Sequence, residues 1–215
     1  MGMAFLLKSL ARYTGGADAE VSASGDKQKN LLVAGGNPPY MEVRRRGQGW
    51  SVSSTTAFAA LVDVPTTTAR VEIYNNGTRL AVVSDLHCFR LLGTAVAVGE
   101  SIWAMVSTAK AVPSLTALTM FSLAGKAFIV PTATSEIVTG VGTTIVANGW
   151  VPYGGMVAYL AAATPGAGWS VAVDGKLIIP PGCSLCLQVV ASVNTAAAFN
   201  GLGATFDLVD AAVEA

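Results

Sequence analysis

The sequence predicts an all-β protein, a sandwich preceded by an extended N-terminal arm. Three observations lead there. From Gly47 onward the chain breaks into short runs rich in Val, Ile, Thr, Phe and Trp, residues that suit a pleated, half-buried surface. Turn chemistry separates the runs, at Asn75-Asn76-Gly77, Ala124-Gly125-Lys126, Asp174-Gly175 and Pro180-Pro181-Gly182. No segment after Gly47 sustains helical periodicity over about ten residues.

Residues 1–47 form the arm. The opening "MGMAFLLKSLARY" has only a short apolar stretch, interrupted by Lys8, so it is a poor signal peptide and reads as a short amphipathic or docking segment. It also has Leu6 where a myristoylation signal needs Ser or Thr. "TGGADAEVSASGDKQKNLLVAGGNPPY" mixes Gly, Ala, Ser, Asp and Lys without periodicity. Such a segment lacks the apolar residues to order itself, so neighbouring chains are expected to hold it.

Residues 48–215 form the sandwich domain. In chain order the predicted strands are Trp50–Val62, Arg70–Tyr74, Leu80–Leu92, Ser101–Ser107, Ala117–Ser122, Ala127–Val130, Glu136–Val146, Gly155–Leu160, Trp169–Val173, Leu177–Ile179, Ser184–Val193 and Ala204–Val209. Asn76-Gly77 signals a type I′ hairpin, whose two central residues both need positive φ. Asp174-Gly175 in "VAVDGKLII" signals a second. Strands this numerous suit a jelly roll better than a seven-stranded immunoglobulin sandwich. No internal repeat points to a propeller or β-helix.

Composition narrows the function. Only 12% of the residues are charged, 52% are apolar and the net charge is zero. Between Ala111 and Val209 the charged residues are Lys126, Glu136, Asp174, Lys176 and Asp207, and the run from Ile137 to Val173 has none. A surface so poor in charge is prone to self-association, and covering by neighbouring subunits is the expected remedy. A neutral chain offers no electrostatic footprint for nucleic acid. No run of about 18 apolar residues suggests a membrane-spanning helix.

The residues that carry chemistry are few. Cys183 and Cys186 have metal-knuckle spacing, but a second pair is missing. On an extended strand, residues three apart face opposite ways, so the pair reads as buried thiols. His87 and Asp85 share one strand face, with Ser84 on the other. A Ser/His/Asp arrangement would need a nucleophile from elsewhere, and no Gly-x-Ser-x-Gly elbow supplies one. "TGVGTTIV" lacks the Lys of a phosphate loop. The acids show no pairing of the kind acid/base catalysis requires. No catalytic residue, cofactor or metal is expected. Asn76-Gly77-Thr78 matches a glycosylation sequon, but the turn accounts for the same residues. Arg44, Arg45 and Arg46 beside Trp50 read as a solvated junction, as a contact with acidic groups of a partner subunit, or, third, as a contact with packaged nucleic acid.

The polar arm, the hairpin-like "EIYNNGTRLAVVSDL", then "SIWAMVSTAK", "TIVANGWVPYG" and "VDGKLIIPPGCSLCLQVVAS" together resemble tailed-phage virion proteins of jelly-roll, TNF-like trimer type, capsid decoration (cement) proteins among them. The resemblance runs from about Gln48 to Asp210 and is one of style and strand order. It implies a homotrimer on the capsid surface that clamps neighbouring shell subunits. The arm would meet the major capsid protein or other virion subunits. Arg44, Arg45, Arg46, Trp50, Trp150 and Tyr153 are the interface candidates. The alternative is a tail or fibre component whose sandwich binds a receptor or glycan, with Trp150 and Tyr153 stacking on sugar.

Overall fold

The computed structural model describes residues 43–44, 47–54, 58–67, 69–92, 98–108, 118–123, 136–141, 149–159, 167–191 and 198–209. Their regular elements are ten strands: β1 (Gly49–Ser53), β2 (Val71–Asn75), β3 (Leu80–Leu92), β4 (Val98–Ser107), β5 (Met120–Ser122), β6 (Ile137–Val141), β7 (Val151–Tyr159), β8 (Ala167–Ile179), β9 (Ser184–Ala191) and β10 (Ala198–Val209). They make two antiparallel sheets, β5-β1-β10-β3-β8 and β6-β2-β9-β4-β7. The described residues form the predicted all-β sandwich.

The pairing explains the topology. β1 lies against β10, β2 against β9, β3 against β8 and β4 against β7. These are the rungs of one long antiparallel hairpin, rolled so that successive rungs fall in alternate sheets, which is the jelly-roll arrangement. β5 and β6 come from the tip of that hairpin. They add an outer strand beside β1 and beside β2.

Period-two alternation sends one side of each strand into the space between the sheets. Leu185, Leu187 and Val189 of β9 meet Val52, Val83, Leu86, Leu202 and Phe206 there, in one continuous core. On β8 the alternation is sharp: Val173 and Ile179 are buried, while Ser170, Ala172, Asp174, Lys176 and Ile178 are exposed. Each fully buried Leu, Ile or Phe contributes about 1.5–3 kcal/mol.

Both predicted hairpins turn out differently. β2 and β3 belong to different sheets, so Asn76-Gly77 is a corner between sheets. Gly77 has no positive φ there. A Cβ on it would lie 2.0 Å from Glu136 Cγ, so close approach is what it provides. The fully buried Asn75 holds the corner. Its amide donates to the carbonyls of Arg79 (2.7 Å) and Ile179 (2.8 Å), and its Oδ1 accepts from the Gly77 N–H at 3.1 Å. Arg79 closes the outside with a two-pronged pair to Glu136, at 2.8 and 2.5 Å, and a bond to Gln48 Oε1.

Asp174 and Gly175 do take positive φ, 50° and 77°, as a type I′ turn asks. Yet β8 does not fold back. Residues on both sides of the pair stay on β3, Ala172 opposite Asp85 and Leu177 opposite Val83. The turn is absorbed as a bulge in one strand. Pro180-Pro181-Gly182 does make a true turn, of type II: the Cys183 N–H donates to Pro180 O at 3.1 Å, with Gly182 at φ 78°.

At the arm boundary, Val43 and Arg44 are helical rather than extended. Gly47 N–H donates to Arg44 O and Gln48 N–H to Val43 O, at 2.8 and 3.2 Å, with Gly47 at φ 76°. This is the Schellman pattern that stops a helix. Residues 1–42 of the predicted arm and the predicted strand Ala127–Val130 lie outside the described residues.

Candidate functional site

The outer face of the β1–β10–β3 sheet carries a set of polar side chains that meet one another. Three neighbouring strands set it out in rows, with Ser51, Thr205 and Asp85 in one and Ser53, Gly203 and His87 in the next. Ser84 is an extra residue of β3 against β10, where the consecutive Thr205 and Phe206 face Asp85 and Val83. The extra residue of the bulge brings Ser84 to the same face as Asp85, where strict alternation would send it to the other side.

Two clusters result. In the first, Arg44 grips Asp207 with two prongs, Nε to Oδ1 at 3.1 Å and Nη2 to Oδ2 at 3.2 Å. Nη2 also donates to Ser84 Oγ at 2.8 Å, and that hydroxyl donates to Thr205 O at 3.2 Å. The Asp207 side chain is fully buried. Burial pushes its carboxyl above the usual range; Arg44 opposes that, and the nearby Asp85 adds to it. Gly49 leaves the room, since a Cβ there would meet Arg44 Cγ at 2.7 Å.

In the second cluster, Ser53 Oγ and His87 Nε2 lie 2.5 Å apart. Their strands are not neighbours; β10 runs between them. The side chains meet over Gly203, whose missing Cβ would sit 2.8 Å from His87 Nε2. Burial holds the His87 imidazole below its ordinary value, with the Asp85 charge pulling the other way. Ser53 is the nucleophile-type partner that the sequence left unassigned. Only the non-local register shows it, because Ser53, Gly203 and His87 are far apart in the chain.

The cysteines fall as strand geometry predicts. Cys183 packs against the main core, and Cys186 lies on the other side of its sheet with Ala69, Met105 and Trp150. Burial drives the Cys88 and Cys186 thiols far upward, reinforced by Glu100 and Glu72 respectively. Thiols so disfavoured as thiolates are poor nucleophiles and poor metal ligands. Glu72 accepts from Ser184 Oγ at 2.6 Å. Among the described residues, no group of three or more His, Cys, Asp or Glu is placed to hold a metal.

The interface candidates scatter. Arg44 is engaged within its own chain by Asp207 and Ser84. Trp50 is buried in the core, and its Nε1 has no hydrogen-bond partner among the described residues. Trp150 donates from Nε1 to Thr66 O at 3.1 Å, which pins the indole against the sandwich. Tyr153 packs partly buried against the core. Arg45 and Arg46 lie outside the described residues.

Large apolar side chains stand open elsewhere. Val62 and Val64, between β1 and β2, are 47% and 56% exposed; Phe121 and Leu123 flank the outer edge at β5; Val151 and Ile178 lie on β7 and β8. β5 and β6 end the two sheets on one side, and β7 and β8 end them on the other. Apolar residues therefore occupy both flanks. No known family model, curated protein or solved structure matches the chain.

Proposed function

We propose that the chain is a structural virion protein of a bacteriophage, a homotrimeric capsid decoration (cement) protein that clamps neighbouring shell subunits. The observation that carries this reading is the pair of dissimilar apolar flanks on a jelly-roll sandwich of zero net charge. A two-fold dimer matches a patch with itself, whereas a ring joins one flank to a different one. Rings therefore cover both flanks at once. Burial at about 25 cal/mol per Å² supplies the driving force, and the scarcity of charge between Ala111 and Val209 lowers the cost of dehydrating the seam. The resemblance to jelly-roll virion proteins supports the same assembly.

Sedimentation of the full 215-residue chain tests it. A trimer is expected, with Phe121→Asp running as a folded monomer. Purified shells from a phage that encodes the protein should take it up and resist heat or dilution better once it is bound. A monodisperse wild-type monomer, or shells whose stability does not change on binding, would defeat the reading.

A further inference from the structure

We propose that Ser53 is an acylable nucleophile, with His87 as its general base, and that the pair acts on uncharged carboxylic esters. Three observations carry this. Ser53 Oγ and His87 Nε2 are 2.5 Å apart, the contact a nucleophile and its base require. Gly203, which has no side chain to part them, lets the two groups meet across β10. Ser53 and His87 are each only partly buried, so a small molecule reaches them from solvent.

The surroundings select the substrate. Asp85 from β3 faces the imidazole, with the Asp207–Arg44 pair from β10 and the arm boundary one row beyond. β1 contributes only the hydroxyls of Ser51 and Ser53, and β8 contributes Ser170 and Ala172. The Asp85 charge disfavours an anionic substrate, while the neighbouring hydroxyls accept a neutral one. Burial disfavours the protonated imidazole, and in the tautomer with its proton on Nδ1 the ring accepts at Nε2. Asp85 acts on the ring as a charge.

In the reaction, Ser53 Oγ attacks the ester carbonyl carbon as its proton passes to Nε2 of His87. The carbon–oxygen bond to the alcohol then breaks, and His87 returns the proton to the departing alkoxide. Water repeats the sequence on the acyl-serine, releasing the carboxylic acid and restoring Ser53. No oxidant or co-reactant other than water is needed.

An alkyl fluorophosphonate tests the nucleophile directly on the full chain. It forms a phosphorus–oxygen bond to Ser53 and expels fluoride, and the hydroxyl proton leaves through His87 to water. The adduct should map to Ser53 by peptide mass. His87→Gln keeps a polar partner for Ser53 but cannot serve as base, and it should label about 100-fold more slowly or worse. In the wild type, the labelling rate should rise with pH through a midpoint below about 6.5. No adduct, an adduct elsewhere, equal rates in His87→Gln, or a flat pH profile would overturn the proposal. It is independent of assembly: a trimer that does not label and a monomer that does separate the two readings.

Discussion

At Gly203 one hydrogen atom stands where any other residue would place a carbon. A Cβ there would lie 1.9 Å from Val52 O, a backbone atom that cannot swing aside, as well as against His87. Gly203→Ala should therefore cost about 3 kcal/mol, at the upper end of overpacking, measured by urea unfolding. His87 makes the second residue-scale prediction. Its native-state value is lowered, so the folded chain binds fewer protons than the unfolded chain as pH falls past the ordinary histidine value. That contribution is fully present above about pH 6.5 and is lost on acidification towards the lowered native value. Wild type should lose more thermal stability between about pH 7.5 and pH 5 than His87→Gln does. Equal losses would show that other groups dominate. The sequence already placed Asp85 and His87 together, because alternation along a strand is local. It missed Ser53, whose position depends on β10 lying between β1 and β3. It put Ser84 on the wrong face because a bulge is invisible to parity.

Strands were more legible than the turns between them. β3 spans Leu80–Leu92 as its β-branched run predicts. The adjacent predicted strands Trp169–Val173 and Leu177–Ile179 are halves of β8. Asp174-Gly175 did report the local dihedral angles correctly. What it could not report was whether the flanking residues would pair with each other or stay on β3. Asn76-Gly77 shows the reverse failure, since the residues suit positive φ and the corner uses Gly77 for its lack of bulk. Gly182 is the clean conformational case, with φ 78° and nothing within 4 Å of its absent Cβ. Gly182→Ala should cost only about 1 kcal/mol, the left-handed strain alone. A loss as large as that at Gly203 would mean the type II turn tolerates no adjustment.

For the whole molecule, the Arg44–Asp207 pair ties the helical turn before Gly47 to the last strand of the sandwich. Removing Arg44 leaves a buried carboxylate without its cation, and burial already disfavours that charge. Arg44→Ala should lower stability by about 2–3 kcal/mol, less than a fully enclosed pair because Arg44 is partly exposed. Adding Asp207→Asn should recover part of the loss, since no stranded charge then remains. Thermal unfolding of the two variants checks this, and a double variant weaker than the single one would contradict it. The interface roles expected of Trp150 and Tyr153 from the sequence belong to this scale too. Sequence identifies both as aromatic but cannot tell an indole pinned to Thr66 from one turned towards a partner.

Because the rolled hairpin pairs Gly49 with Asp207, the chain enters and leaves the sandwich at the same place. A label or cargo fused after β10 would emerge beside the helical turn that ends at Gly47. The hairpin tip between β4 and β7 carries no such terminus and is the natural point at which to reopen the chain. Joining the present ends and cutting at the tip would give a permuted chain with the same strand pairs, its new termini away from the Arg44 clasp.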